Sequence, residues 1–262
     1  MSGPRMETSH QAEASERHVV QRMRHDSRRR VLTVTDIISL TPKMLRIAFH
    51  SPELTDFVSL GADDHVKIFL PDGAGGTLMR DYTPRAFDTA AGTLIVDFAL
   101  HEAGPATAWA IQAKLGDELH IGGPRGSQVV PDDFDWYLLI ADETGIAAIG
   151  RRLEGLRSGV AVTTVIIIDD MAETQSISTP AAWTPLWVCR EGQPLGDAEL
   201  LRKTLERLEL PAGDGYIWIA AEASVAKTLR GYFLDERRHP PRWLRASGYW
   251  LRGEAGAHEN FG

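Results

Sequence analysis

The segment MRDYTPRAFD, residues 79–88, concentrates side chains that could hold a flat, phosphate-bearing molecule. Arg80 and Arg85 carry permanently charged guanidinium groups, which donate paired hydrogen bonds to phosphate oxygens. Tyr82 offers a flat ring for stacking, and Thr83 adds a hydroxyl that could reach a polar ring edge. This combination favours a flavin-like cofactor at this segment. The alternative is a surface cluster in a loop at a strand edge.

A second candidate for phosphate binding is the start of a predicted helix, GPATAWAIQAKLG, residues 104–116. Proline is tolerated in a first helical turn and glycine often follows a last one, so the helix should begin near Pro105 and end at Gly116. Unpaired N–H groups and the positive end of the helix dipole attract anions there. The residues that could cradle a pyrophosphate are Gly104, Pro105, Ala106 and Thr107. The alternative is a plain connecting helix.

The elements that carry these candidates follow a strand pattern from residue 31 onward. Apolar residues alternate with other residues in short runs, separated by turn-forming segments, which is typical of an antiparallel barrel or sandwich. The runs are VLTVTDII, LRIAFH, HVKIFL and TLIVDFAL. The stretch GAGG at 73–76 is predicted to be a hairpin loop rather than a phosphate loop, because no helix follows it.

The pattern changes after GPRGSQVVPDDF, residues 123–134, to buried strands that alternate with helices. Near-continuous apolar strands between amphipathic helices indicate a doubly wound parallel sheet, covered on both faces. The strands are WYLLIAD, AVTTVIIIDD, PLWVCR and GYIWIAAE, and the helices lie in ETGIAAIGRRLEGL, DAELLRKTLERL and ASVAKTLRGYFLDERR. We therefore predict a flexible tail at 1–26, a β-barrel domain at 27–131 and an α/β domain at 132–262.

Ligands of parallel sheets bind beyond the carboxyl ends of the strands. Two such points carry polar residues, ADETGI at 141–146 and AAEAS at 220–224, although neither contains a GxGxxG fingerprint. The alternative role for Asp142 and Glu222 is helix capping.

Composition limits the possible functions. The chain has 36 acidic and 28 basic residues and a formal charge of -8, which argues against a general nucleic-acid binder. No apolar run approaches the roughly 20 residues of a membrane span, and the N-terminus lacks a signal-peptide core, so we expect a cytoplasmic protein. Cys189 is the single cysteine, and no Cys/His grouping has metal-ligand spacing. The basic run RRR at 28–30 is interpreted as the solvated end of the tail, the alternative being a nucleic-acid or membrane patch.

From about residue 28 to 253 the chain resembles the siderophore-interacting proteins, flavin-dependent ferric-siderophore reductases of the ferredoxin-reductase-like superfamily. The resemblance rests on several short motifs in the family's order. They are LTPKMLRI, DDHVKIFLP, RDYTPR, VDFALH, GPATAWA, GPRGS, ADET, AAEAS and SGYWLRG.

The resemblance implies an N-terminal antiparallel barrel that holds FAD and a C-terminal α/β domain that receives NADPH or NADH. It places Arg80, Tyr82 and Thr83 on the flavin and Gly104 to Thr107 near the pyrophosphate. Other residues implied at the cofactors are Arg85, Phe98 and His101 for the flavin, and Thr144, Gly145, Glu222, Ala223 and Ser224 for the nicotinamide nucleotide. Two positions depart from the family's glycines, Glu102 and Ala221, and each adds a side chain where backbone approaches a cofactor.

The implied chemistry needs a flavin, because a hydride carries two electrons and ferric iron accepts one. Reduction to Fe(II) weakens the hold of a siderophore's oxygen donors, so the protein needs no iron ligands of its own. Lys67, Arg125 and Arg252 are predicted to line a basic mouth for an anionic, catecholate-type siderophore, each being otherwise an ordinary surface charge. We expect a monomer. Two rival functions stay open: a general NAD(P)H:flavin or quinone reductase, and a non-enzymatic siderophore-binding protein.

Overall fold

The computed structural model describes residues 17–72, 74–100, 104–190, 192, 198–253 and 259–261. Within them the chain forms one large antiparallel sheet, one large and mainly parallel sheet, and a two-stranded ladder. None of the helices in this part of the chain is long and apolar enough to span a bilayer.

The antiparallel sheet has seven strands in the order β5-β4-β8-β2-β3-β7-β6. Their bounds are β2 Arg29–Thr41, β3 Met44–His50, β4 Val66–Pro71, β5 Thr77–Tyr82, β6 Pro84–Asp88, β7 Thr93–Ala99 and β8 Glu118–Gly122. The two edge strands, β5 and β6, are separated in sequence only by Thr83. The sheet must therefore curl until its edges approach each other, which makes it a half-barrel. The predicted antiparallel domain is confirmed in this open form.

The half-barrel encloses one hydrophobic core. Every second residue of β4 and β7 points inward, as the alternation predicted, and is nearly or fully buried. Helix α1, Pro105–Gln112, adds Ala106 and Ala110 to this core. The helix is shorter than predicted, because Ala113 already has an extended backbone. Residues on either side of Gly73, which is outside the described part, join β4 to β5 as the predicted hairpin loop.

The second sheet is parallel over five strands, in the order β12-β11-β10-β13-β14, with the short antiparallel β15 at its edge. Its strands are β10 Trp136–Ala141, β11 Ala161–Ile168, β12 Ala182–Cys189, β13 Gly215–Glu222, β14 Leu244–Trp250 and β15 Glu259–Asn260. Helix α2, Ile146–Gly155, packs with one core, and helices α3, Ala198–Glu206, and α4, Ala223–Gly231, with the other. Strands β10 and β13 are buried throughout. The predicted doubly wound domain is confirmed.

Polar contacts join the two halves. Arg151 of α2 donates two hydrogen bonds of 3.0 Å to Ser59, one to its hydroxyl and one to its carbonyl. Asp63 accepts a bond of 3.2 Å from the Trp218 indole and forms an ion pair of 2.8 Å with Arg245. Because these groups are largely buried, their pairing fixes how the halves meet.

The predicted tail is structured from Arg17 onward, which corrects the tail boundary at residue 26. Strand β1, Gln21–Arg24, pairs antiparallel with β9, Gly126–Val129, and His18 is buried. The low apolar content of this segment suggested mobility, but its backbone is paired by a strand about a hundred residues away. Residues 1–16 are outside the described part of the chain.

Candidate active site

Aromatic rings form a platform at the open edge of the half-barrel. Tyr82, the last residue of β5, is half-buried, and its ring centroid lies 4.6 Å from that of Phe98 on β7. Phe98 in turn lies 5.8 Å from Trp109 of α1 and is fully buried. Phe98, predicted at the flavin, thus supports Tyr82 from within the core. Burial raises the pKa of Tyr82, so its hydroxyl stays protonated and can donate at neutral pH.

Arg80 and Thr83 flank this ring. Arg80 pairs with Ile68 across the β4–β5 ladder, two positions before Tyr82, so both side chains lie on the same face of β5. Its Nη1 donates to the Met79 carbonyl at 2.8 Å, and among the described residues it forms no ion pair. Most of its donors therefore remain for a ligand. Thr83 is buried in the single-residue link between the edge strands.

Helix α1 begins beside this platform without a capping side chain. Gly104 is its N-cap residue, with extended backbone and no side-chain hydrogen bond, and Pro105 occupies the first turn. Ala106 and Thr107 are buried against the half-barrel, which fixes the direction of their N–H groups. Such a helix start suits a phosphate group. His101 and Glu102 are outside the described residues.

Arg85 is placed differently from its neighbours in the motif. Its guanidinium donates two hydrogen bonds, of 2.8 and 2.5 Å, to Glu154 of α2, and lies 3.8 Å from Asp97. A Cβ on Gly150 would come within 3.0 Å of this guanidinium, so the helix closes over it. The charge of Arg85 is thus paired across the contact between the two halves, which favours a structural role for Arg85 over the predicted flavin contact.

At the carboxyl end of β10, Asp142 caps the following turn. Its carboxylate accepts bonds of 2.9 Å from the Thr144 N–H, 3.1 Å from the Glu222 N–H and 2.8 Å from the Trp250 indole. Burial, together with the nearby Glu143, raises the pKa of Asp142. Gly145 follows, where an added Cβ would lie 2.6 Å from the Ala141 side chain, so only glycine fits.

The end of β13 has the same construction. Glu222 accepts hydrogen bonds from the N–H groups of Ser224 at 2.7 Å and Val225 at 3.2 Å, and also from the Ser224 hydroxyl. Partial burial would raise the pKa of Glu222, but its hydrogen bonds hold it below the ordinary value. Asp142 and Glu222 thus both act as caps. Ala221 points into the core and Ala223 is buried, while Ser224 is exposed.

Two of the three predicted substrate residues share a surface cavity of about 240 Å³ on the outer side of the half-barrel. It is lined by Ser27, Arg28, Arg29, His65, Lys67, Phe69, Met79, Gly122 and Arg125. We call it the cationic cavity. Arg252 is not among these residues: it is exposed, and its N–H donates to Glu222 at 3.3 Å. The structure therefore unites Lys67 and Arg125 and separates Arg252 from them.

The cationic cavity has an excess of positive charge. Arg28 is paired with Asp56 at 2.6 Å, and Lys67 with Asp81 at 2.8 Å. Arg29 stacks over the Phe69 ring at 4.2 Å, and within the described residues neither Arg29 nor Arg125 has an ion-pair partner. Arg28 and Arg29 were not predicted as residues of this site. Their signal was the run RRR at 28–30, in which Arg30 instead turns inward to Asp56 and the Glu53 carbonyl.

A family model described as siderophore-interacting protein matches residues 134–253, and one described as siderophore-interacting FAD-binding domain matches 33–78 and 72–128. The chain belongs to the siderophore-interacting protein family. The chain is similar to the NADPH-dependent ferric-chelate reductase of Escherichia coli, with 34% identity over 251 residues that cover 88% of this chain and 96% of that protein. The ferric vibriobactin reductase of Vibrio cholerae is 26% identical over 236 residues, which cover 82% and 86% of the two chains.

Solved structures of family members have the same architecture. A siderophore utilization protein from T. fusca superposes with a TM-score of 0.84 at 33% identity, over 91% of this chain and 98% of its own. A siderophore-interacting protein from Aeromonas hydrophila gives 0.74 at 29% identity, over 87% and 93%. A flavohemoglobin at 13% identity, with a TM-score of 0.62, shares the fold. The predicted family and its ferredoxin-reductase-like fold are thus confirmed.

Proposed function

We propose that the protein is a flavin-dependent oxidoreductase that passes electrons from NADPH or NADH through FAD to a ferric siderophore and so frees Fe(II). One observation carries this proposal. The cationic cavity lies on the outer face of β4, and the neighbouring strand β5 bears Arg80 and Tyr82 on the opposite face, so a candidate anion site and a candidate flavin site lie on adjacent strands.

The residues at the open edge of the half-barrel fit FAD. Tyr82 supplies a ring supported by Phe98, Arg80 supplies charge that the protein leaves largely unpaired, and α1 supplies N–H donors without a cap. We propose that Arg80, Tyr82 and Thr83 bind the flavin and that Gly104 to Thr107 bind its pyrophosphate, with His101 retained from the motif. FAD, when bound, supplies an acceptor for the two electrons of a hydride and releases them one at a time.

For the nicotinamide nucleotide we propose the two capped strand ends. Asp142 holds the Thr144–Gly145 turn, and Glu222 holds the start of α4 at Ala223 and Ser224. Because both carboxylates are already bonded within the protein, their part is to fix the backbone that meets the donor. The reductase from Escherichia coli is named for NADPH. The described residues identify no arginine that would bind a ribose 2′-phosphate, so we propose NADPH and NADH as alternative electron donors.

For the substrate we propose an anionic ferric siderophore of the catecholate type in the cationic cavity, held by Lys67 and Arg125. Deprotonated catecholates give the ferric complex a negative charge, which the excess of cations would attract. The siderophore keeps all the iron ligands, and the cavity residues hold the complex in place. We leave Arg252 out of this set, because it is attached to Glu222 instead.

The rival functions fit the geometry less well. A general quinone reductase has no need of a cationic cavity, since quinones are uncharged. A binding protein without flavin has no need of an uncapped helix start beside an aromatic platform.

We further propose that the protein is cytoplasmic. We also propose that it is a monomer, because one chain contains both candidate sites. In this proposal the flavin domain spans residues 27–131 and the nicotinamide domain spans residues 132–262.

The double variant Lys67→Ala with Arg125→Ala tests the proposed substrate site. Losing two charge-assisted contacts should raise the KM for a ferric catecholate siderophore at least about tenfold. The Kd for FAD and the KM for an uncharged quinone should not change. The matched control is Arg207→Ala with Lys227→Ala, which removes two exposed cations from the α/β domain. An equal rise for quinone and siderophore, or an effect on FAD binding alone, would remove the cavity from substrate binding.

A further inference from the structure

The N-terminal segment Arg17–Arg29, here called the strap, connects the two halves of the molecule. Its strand β1 is hydrogen-bonded to β9 next to the half-barrel, while His18 is buried against the α/β domain. The last three strap residues, Ser27, Arg28 and Arg29, belong to the lining of the cationic cavity. The strap therefore runs from a buried anchor in one half to the candidate substrate site of the other.

His18 is the anchor of the strap. Its Nδ1 lies 2.7 Å from an Asp133 carboxylate oxygen, and its Nε2 lies 3.2 Å from Asp214. The ring stacks on Phe134 with centroids 4.0 Å apart, and its side chain has no exposed surface. Each ring nitrogen of His18 thus has its own carboxylate partner, which holds the ring in place. His18 also has a φ of 64°, which a side-chain-bearing residue keeps only where its surroundings hold it.

The strap holds the backbone on both sides of Arg125. The His25 N–H donates to the Arg125 carbonyl at 3.0 Å, and the Gly123 N–H donates to the Arg28 carbonyl at 3.2 Å. Arg24 pairs with Gly126, where an added Cβ would lie 2.4 Å from the Met23 carbonyl oxygen. The strap is thus hydrogen-bonded to the backbone of Arg125 itself and of Gly123, and it packs closely against Gly126.

We propose that the strap is part of the substrate-binding apparatus: His18 anchors it, its backbone positions Arg125, and Arg28 and Arg29 add charge to the cavity. The inference rests on the proposed function, because it takes the cationic cavity as the substrate site. His18 acts here as a positioning residue. It lies more than 90 residues before Arg125 in the sequence.

The variant His18→Ala tests the anchor. It should raise the KM for a ferric catecholate siderophore by about threefold to tenfold, with kcat and the FAD Kd unchanged. Amide hydrogen exchange should become faster at Gln21–Arg24, since β1 loses its anchor. His50→Ala, which removes an exposed histidine from β3, is the control and should change neither quantity. Unchanged exchange and KM in His18→Ala would overturn the inference.

A double-mutant cycle separates positioning from general destabilisation. In the Arg125→Ala background, His18→Ala should raise the KM by a smaller factor than it does in the wild type, because one of the residues that the strap positions is already absent. An equal rise in both backgrounds would contradict positioning. If His18→Ala does not fold, Arg28→Ala with Arg29→Ala takes its place: a raised KM is expected, and an unchanged one overturns the strap's role in binding.

The failure of this inference differs from the failure of the proposed function. If Lys67→Ala with Arg125→Ala leaves the KM unchanged, the cationic cavity is not the substrate site, and the proposed substrate site and the strap inference are both wrong. If that pair raises the KM while His18→Ala does not, only the strap inference is wrong.

Discussion

The half-barrel edge and the strand ends of the parallel sheet treat their polar side chains in opposite ways. At the half-barrel edge, within the part of the chain that the structure describes, Arg80 makes one local hydrogen bond and helix α1 has no side-chain cap at Gly104. At the strand ends, Asp142 and Glu222 each accept several hydrogen bonds from the protein itself. The first region leaves donors for a permanent ligand, whereas the second offers a prearranged backbone to a ligand that comes and goes.

The two kinds of sheet account for this difference. An antiparallel sheet that curls without closing leaves a gap at Thr83, between its two edge strands. In a parallel sheet, each strand is followed by a turn and often a helix whose first N–H groups need acceptors, and a carboxylate at the strand end supplies them. The gap between the edge strands of the half-barrel can hold a cofactor, and the capping carboxylates hold the backbone at the strand ends of the parallel sheet in place.

The largest effect is expected at the half-barrel edge, where Arg80→Ala should weaken FAD binding by about 1.5 to 3 kcal/mol, or about tenfold to 150-fold in Kd. The reason is the loss of a charge-assisted hydrogen bond to the cofactor. Flavin fluorescence titration of the apoprotein measures it, with Arg207→Ala as the control. An unchanged Kd would remove Arg80 from the site and with it the contrast between the regions.

A smaller effect, of a different kind, is expected for Arg85→Met, which keeps an unbranched apolar stem but removes the charged guanidinium. The loss of the Glu154 and Asp97 partners should lower the free energy of unfolding by about 1 to 2 kcal/mol, as measured by urea denaturation. The Kd for FAD should stay within about twofold. A loss of FAD affinity as large as that of Arg80→Ala would return Arg85 to the flavin site.

The smallest effect is expected at the strand ends. Glu222→Gln weakens a helix cap and should lower the free energy of unfolding at pH 7 by about 0.5 to 1 kcal/mol. Because the folded pKa of Glu222 is below its ordinary value of 4.5, the carboxylate's contribution is present above pH 4.5 and is lost as the pH falls through the folded pKa. The stability of wild type and variant should therefore converge in acid. A difference that persists below that pKa would show that capping is not electrostatic.

Local sequence patterns predicted much of this molecule. The alternation of residues such as Val66, Ile68 and Leu70 predicted the inward face of the half-barrel. The apolar runs around Leu139 and Ile219 predicted the strands of the parallel sheet. These predictions succeed because burial at a period of two, or along a whole strand, depends mainly on neighbouring residues.

Long-range pairing limited the rest. Glu154, which binds Arg85, is 69 residues away from it, and the carboxylates around His18 are 115 or more residues away; nothing in the RDYTPR motif or the polar N-terminal stretch identifies them. The motif made Arg85 and Arg80 look equivalent, although Arg80 lies on β5 and Arg85 lies on β6, against which α2 packs. Arg252 was grouped with Lys67 on its charge and its motif, whereas the backbone N–H of Arg252 donates to Glu222.

The most direct test of the central claim is an anaerobic absorption experiment on the FAD-loaded protein, with NADPH or NADH added first and a ferric catecholate siderophore second. The account predicts that the flavin bands bleach with the nicotinamide nucleotide and return on addition of the siderophore, with Fe(II) captured by a chelator. A protein that takes up no FAD, or a bleached flavin that the ferric siderophore does not reoxidise, would contradict it.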